Sequence, residues 1–236
     1  MKKFALLSAL VASLGFTQIA SADTLALWTF ESLTVSGTAA TTPSPNNFAP
    51  EVGSGSASAL HASASTVWST PAGNISAKSL SANNWAVGDY FQFTTSTLGY
   101  TGVTISYDQT GSGTGPRDFA FSYSTDGVAF TPFGSTYGIL INGTPNPSWG
   151  AATGGAVYNI AFNLTAVTAL DNVAAVWFRV VDASTTSING GTVATTGTSR
   201  IDNFTISATP VPEPTAAAIV GGLGLLGLLM VSRRRN

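Results

Sequence analysis

The chain contains no cysteine and a single histidine, His61. The first absence excludes a disulfide framework, thiolate catalysis and sulfur-ligated metals. The second excludes a histidine-rich metal site and leaves any Ser-His-Asp triad with only His61 to use. No Gly-x-Ser-x-Gly elbow accompanies it, and "SALHASAS" reads as a loop running into a strand, so an ordinary surface or packed histidine is expected. Charge is scarce as well. From Asp23 to Val211 the basic residues are Lys78, Arg117, Arg179 and Arg200, four against ten acids, for a formal charge of −6 where the whole chain carries −2. An acidic domain of this kind has no electrostatic footprint for nucleic acid. Glutamate is rarer still: Glu31 and Glu51 are the only two in that window, and nothing in their spacing sets them across a cleft as a glycosidase needs. The glycine-rich "GSGTGPR" (111–117) lacks the Lys-Ser/Thr of a phosphate loop. "YSTDGVAF" (123–130) approaches an Asp-box, but Asp126 and Gly127 are adjacent where that motif has a residue between them, so a hairpin turn is the reading. The expectation is that the chain is not an enzyme, with a secreted glycan hydrolase as the remaining catalytic alternative.

Uncharged runs, in contrast, close both ends. "MKKFALLSALVASLGFTQIASA" has Lys2 and Lys3, an apolar run from Phe4 to Ile19 and the small-residue site Ala20-Ser21-Ala22. Their order is that of a secretory signal peptide over residues 1–22, with the chain passed to the export machinery and cleavage expected before Asp23. At the other end, Pro214 to Ser232 carry no charge over 19 residues. A helix of that length reaches about 28 Å, enough for one crossing of a bilayer. Arg233, Arg234 and Arg235 follow directly and orient the crossing with the domain outside the inner membrane and the tail inside. The tail thus divides into a motif at 211–214, a transmembrane helix at 215–232 and a basic end at 233–236.

"VPEP" stands immediately before this span. Pro212, Glu213 and Pro214, an apolar helix and the arginine cluster, in that order, resemble the sorting signal of PEP-CTERM exported bacterial proteins. The resemblance covers about the last two dozen residues. It implies recognition of Pro212-Glu213-Pro214 by an exosortase-type processing enzyme, a stop-transfer role for Arg233 to Arg235, and delivery to the cell surface or an exopolysaccharide matrix. Prolines also hold such a segment extended outside the bilayer, where an enzyme can grip it. The alternative is a plain linker before a permanent anchor.

Residues 23–209 are expected to form one domain. "RDFAFSYS" (117–124) sets Phe119, Phe121 and Tyr123 on one face with the period of two of a half-buried strand, and Asp126-Gly127 offers a tight turn into "VAFTPF". Further strands are read at 25–31, 63–69, 89–95, 102–109, 156–164, 174–182 and 200–207, with "VGSGSASA" (52–59) as a flexible loop and "LTAVTALDN" (164–172) as a helical turn or two. Short strands separated by turn signals, with no convincing internal repeat, make an all-β, antiparallel jelly-roll-like β-sandwich the expected fold.

"LWTFE" near the start of the domain and "RIDNFTI" at its end resemble the first and last strands of jelly-roll carbohydrate-binding modules. In such modules these strands lie side by side and a glutamate and an aspartate hold a structural Ca²⁺; Glu31 and Asp202 match those positions. In "RIDNFTI", Asp202 shares parity with Phe204 and Ile206, so a carboxylate is expected to face inward, where it needs a cation or an arginine, Arg179 or Arg200. The resemblance also implies glycan binding, here exopolysaccharide, through exposed aromatic faces. Trp149 in "NGTPNPSWGAATGG" is the first candidate, with Trp85 and Tyr100 behind it, whereas Trp28, Trp68 and Trp177 are read as core. A purely structural or adhesive surface protein is the alternative.

Overall fold

The computed structural model describes residues 21–35 and 47–211. Most of the leader and the whole tail beyond Val211, including Pro212–Pro214 and Arg233–Arg235, lie outside the described residues.

Thirteen strands form two sheets. They are β1 (Asp23–Trp28), β2 (Val52–Gly53), β3 (Ser56–Leu60), β4 (Trp68–Ser69), β5 (Leu80–Ala82), β6 (Tyr90–Thr95), β7 (Tyr100–Gly111), β8 (Asp118–Ser124), β9 (Thr131–Gly138), β10 (Leu140–Ile141), β11 (Asn159–Asn163), β12 (Val176–Asp182) and β13 (Ser199–Pro210). One sheet has five strands in the order β3-β6-β12-β8-β9; the other has eight and runs β10-β7-β13-β1-β2, with β11 on β7 and β4-β5 on β13. All pairings between these strands are antiparallel except the two-residue contact of β10 with β7. The first and last strands, β1 and β13, are direct neighbours, with Trp28 opposite Phe204.

The period of two expected for half-buried strands explains the packing. In β12, Val176, Phe178 and Val180 point inward, while Trp177, Arg179 and Val181 alternate outward. In β6, Phe91, Phe93 and Thr95 are buried between half-buried Tyr90, Gln92 and Thr94. The two inner faces meet in a ring stack: Phe93 of the five-stranded sheet lies on Phe204 of the other at 3.5 Å between centroids, flanked by Tyr107 and Trp28. The fold is therefore an all-β, jelly-roll-like sandwich.

Several local expectations are corrected. "VGSGSASA" is not a loop but β2 and β3; Ala57 and Ala59 lie opposite Phe93 and Phe91 and are 1% exposed, so alternating small residues pack where larger ones would not fit. Asp126-Gly127 does not make a two-residue turn. A six-residue loop (125–130) joins β8 to β9, because the Asp126 carboxylate accepts the backbone N–H groups of Val128 and Ala129 and Ser124 Oγ accepts that of Gly127. The helical turn near 164–172 contracts to a single 3₁₀ turn, Thr168–Leu170. Among the described residues no helix is long and apolar enough to cross a membrane.

Candidate functional site

The three aromatic residues expected to bind sugar are not brought together. Trp149 is 6% exposed and packs edge-on against Tyr158 at 5.6 Å, pinning the long loop after β10. Trp85 is equally buried, against Phe91, Phe119 and His61, with its indole N–H donated to the Ala82 carbonyl. Neither presents an open face, because a tryptophan in a long uncharged loop removes more apolar area from water by folding under that loop than by lying on it. Tyr100 is half-buried at a shallow depression of about 350 Å³ formed with Leu25, Gly53 and Leu98. The expectation that Trp177 is core is also reversed: it stands on the outer face of β12, half-exposed.

Trp177 is not alone there. Pairing across the sheet aligns Thr94, Trp177 and Ser124 in one outward row, Ser58, Gln92, Arg179 and Ser122 in the next, and Leu60, Tyr90, Val181 and Ala120 in a third. The 125–130 loop bends over this face. Gly127 has φ +73°, and a Cβ added to it would lie 3.0 Å from the Trp177 indole, so only glycine allows that approach without a shift. The Arg179 guanidinium lies over the Phe130 ring at 3.5 Å and over the Tyr90 ring at 4.0 Å, while Arg179 Nε donates to Gln92 Oε1 at 2.8 Å. The result is a half-buried surface of tryptophan, tyrosine and phenylalanine rings set beside the Gln92 amide, the Ser58 hydroxyl and the Arg179 guanidinium, with Ser122 and Ser124 buried beneath it. Sequence reasoning missed it because "AAVWFRVVD" has only Arg179 and Asp182 to interrupt an apolar run, and the signal available was the alternation that puts Trp177 and Arg179 together on the side opposite Phe178 and Val180.

The acidic pair is arranged differently from the parity argument. Asn203 adopts φ +51°, and the register between β13 and β7 shifts between Asp202 and Thr205. This bulge turns Asp202 to the side opposite Ile201 and Phe204, away from the inter-sheet core and opposite Asp108. It is nevertheless fully buried, under the 73–78 segment. Its Oδ2 accepts Asn74 N–H at 2.8 Å and Ser76 Oγ–H at 2.7 Å, and its Oδ1 accepts Asn203 N–H at 2.8 Å. Glu31 is exposed on the turn after β1, and its Oε1 accepts the Lys78 N–H at 3.0 Å. Both carboxylates thus grip one segment, and neither forms an ion pair with Arg179 or Arg200; the Arg200 guanidinium donates to the Ala72 carbonyl instead. Burial, with Asp108 adding to it, pushes the Asp202 carboxyl up to about 7 against the pull of its three donors.

A hard cation is tested by the donors present. Asp202 Oδ2, Ser76 Oγ and the Lys78 carbonyl oxygen gather beside Gly73, joined through the Ser76 hydroxyl, and an added Cβ there would collide with all three, so the backbone can lie against this oxygen group only as glycine. Among the described residues no three His, Cys, Asp or Glu side chains cluster, so the rest of a shell would come from hydroxyl and carbonyl oxygens. That donor type suits Ca²⁺.

A second buried polar group surrounds His61. Its ring lies against Trp68 and Trp85, its Nδ1 stands 3.5 Å from Asp89 Oδ2 and 3.2 Å from Thr66 Oγ1, and its buried Nε2 has no partner. Burial lowers the imidazole to about 4. Asp89 is also raised by burial, although Ala62 and Ala86 N–H groups hold its oxygens. Asp182, 1% exposed with Oδ2 unpartnered, is pushed up to about 6 by burial, with Asp89 and Asp118 contributing. Its proximity to Asp89 follows from β6 and β12 pairing, with Asp182 N–H donated to the Asp89 carbonyl.

No protein-family model matches the sequence, and no curated protein does. Solved structures resemble it in fold. The CBM22-1 xylan-binding domain from Paenibacillus barcinonensis Xyn10C is 11% identical with a TM-score of 0.40, over 83% of this chain and all of that one. The K3 cleaved adhesin domain of Lys-gingipain from Porphyromonas gingivalis is 15% identical with a TM-score of 0.39, over 78% and 99%. TmCBM61 in complex with beta-1,4-galactotriose is 10% identical with a TM-score of 0.36, over 64% and 86%.

The Asp182 environment has a pH consequence. A carboxyl raised in the folded state from its ordinary 3.8 contributes stability below that value, and the contribution is lost as pH rises through about 6. His61, lowered from 6.5, acts oppositely, losing its contribution as pH falls toward 4. Replacing Asp182 with Asn isolates the first effect: the variant melts above the wild type at pH 7.5, and the difference shrinks toward zero by pH 4 in thermal scans monitored by tryptophan fluorescence.

Proposed function

We propose that the chain is an exported, non-catalytic surface or matrix protein whose sandwich binds a polysaccharide across the outer face of β6, β12 and β8. The observation that carries this reading is one outer face that holds the half-buried Trp177 ring in one row and Gln92 and Arg179 in the next, with Phe130 and Tyr90 packed on the Arg179 guanidinium. Sugar rings present apolar C–H faces and hydroxyl edges, so aromatic rings that remove the faces from water, together with polar groups that orient the edges, supply both affinity and register. Arg179, Gln92 and Ser58 form a connected row, with Gln92 Nε2 3.4 Å from Ser58 Oγ. Affinity electrophoresis through the source cell's own exopolysaccharide tests this. Trp177→Ala reduces retardation about tenfold or more, because truncating a central aromatic anchor costs on that scale. Trp149→Ala lowers melting temperature without abolishing retardation. If wild type and Trp177→Ala migrate alike, the face is not the site, and the adhesive reading, with protein partners, takes over.

Ca²⁺ is proposed at the 73–78 segment. Glu31, Asp202, Ser76 and the Lys78 carbonyl would supply its oxygens and fasten that segment to β1 and β13. At a hundredfold excess over its dissociation constant a single bound ion stabilises by about 2.7 kcal/mol. Added CaCl₂ therefore raises the wild-type melting temperature by several degrees and leaves Asp202→Asn unmoved; an equal response in both sinks the assignment.

For the tail, the proposal is exosortase-type processing at Pro212-Glu213-Pro214 after retention by residues 215–232 and Arg233–Arg235 in the inner membrane. Intact mass of the mature protein from its native cells ends near residues 212–214, with the protein in medium or matrix. A mass that includes Arg235, with the protein in the membrane fraction, makes the segment a plain anchor.

A further inference from the structure

Arg179 is set up for more than sugar hydroxyls. In a domain of formal charge −6, it stands on the outer sheet face with no carboxylate within ion-pair distance among the described residues. Two acids of β8 and the loop that follows it are engaged elsewhere. Asp118, at the end of β8, is held by Arg117 Nε at 2.8 Å and by Ser184 Oγ at 2.7 Å. Asp126, in the overlying loop, accepts the N–H groups of Val128 and Ala129.

The guanidinium is also oriented. The rings of Phe130 and Tyr90 pack on it and Gln92 takes Nε–H, so the edge with the two terminal nitrogens is the part left for a ligand, the neutral Tyr90 side chain being its one neighbouring polar partner. A fork fixed before binding loses little rotamer freedom when it is used, and its geometry matches the two oxygens of a carboxylate rather than a single hydroxyl. Aromatic cover strengthens the attraction further, since a charge packed against two rings sits in a lower effective dielectric than one in open water. Burial by the rings pulls the guanidinium below its usual value, with Tyr90 partly restoring it, as expected for a cation that has no anion beside it.

We propose that the polysaccharide bound on this face is acidic, with a sugar carboxylate received by the Arg179 fork while a neighbouring ring stacks on Trp177. Such a ligand is a uronic-acid-containing polymer or one bearing another carboxylated substituent. The assignment rests on the glycan-binding reading above and deepens it. It also explains how an acidic domain binds a polyanion: the one cation in the row is unneutralised, and the nearby acids are occupied.

The test compares pairs of polymers that differ only in charge. Polygalacturonate and a glucuronan are each used as such and after chemical reduction of the carboxyl groups to neutral sugars, and affinity electrophoresis is run with wild type, Arg179→Gln, Arg179→Lys and Trp177→Ala. The expected result is wild-type retardation by at least one native polymer, about tenfold weaker on its reduced form and weakened by added salt. Arg179→Gln removes that preference and binds native and reduced polymer alike. Arg179→Lys keeps part of it, as a point charge without the fork, and shows that loss in the glutamine variant is not a folding failure. Trp177→Ala weakens both forms. Wild-type binding equal on native and reduced polymers, or confined to reduced or neutral ones, overturns the acidic assignment while leaving glycan binding in place. Binding to none of these or to the cell's own polysaccharide removes both.

Discussion

Contact between the inner faces of the two sheets is the constraint on which everything else rests. With no cysteine to staple the chain and few charges to pair, the sheets are held by apolar surface withdrawn from water. The withdrawal is concentrated where Phe93 of β6 stacks on Phe204 of β13, with Tyr107 and Trp28 beside them. Once β6 and β12 commit Phe91, Phe93, Phe178 and Val180 to that interior, alternation leaves their intervening residues outside. Tyr90, Gln92, Trp177 and Arg179 thereby become one surface. The candidate site is thus a by-product of the core, seen from the other side of the same strands, and its rigidity is that of the sheet.

A single backbone irregularity governs the second polar centre. At Asn203 the chain takes a positive φ and the strand gains a residue, which reverses the side on which Asp202 emerges. Without the bulge, the carboxylate would be driven between the sheets among aromatic rings, at a heavy desolvation cost. With it, Asp202 meets Ser76, Asn74 and the backbone of the segment that also carries Glu31's contact to Lys78. Asparagine tolerates this conformation better than most residues, so the bulge and the polar centre beneath the 73–78 segment come from adjacent letters of the sequence.

Loops decide what remains exposed on each face. The long segment after β10 folds Trp149 against Tyr158, and the β5–β6 connection folds Trp85 onto Phe91 and Phe119, so two loop tryptophans become packing elements. The 125–130 loop behaves oppositely. Shaped by Asp126 and Ser124, it carries Phe130 over Arg179 and lays Gly127 against the Trp177 indole, so it adds a ring to the outer face while covering part of it.

Alternation of apolar residues at Phe91/Phe93, Phe119/Phe121, Phe178/Val180 and Phe204/Ile206 was legible in the sequence, and with it the strands and the two-sheet class; the pairing of first and last strands was implied only by the resemblance of "LWTFE" and "RIDNFTI" to jelly-roll modules. The composition also ruled out thiol chemistry, because the chain has no cysteine, and a nucleic-acid footprint, because four basic residues stand against ten acids in the domain. Periodicity stops being informative where it is broken or doubled. A run such as "AAVWFRVVD" is apolar at every second position and nearly so at the rest, so which side faced water depended on what packed against it; small alternating residues such as Ala57 and Ala59 carry too little hydrophobicity to announce a strand. Only tertiary structure assigned Trp177 to the surface, Trp85 and Trp149 to the interior and Asp202 to a covered pocket. Each of those outcomes turns on which distant segment covers the residue, and burial of that kind is a property of the assembled fold, which local sequence does not encode.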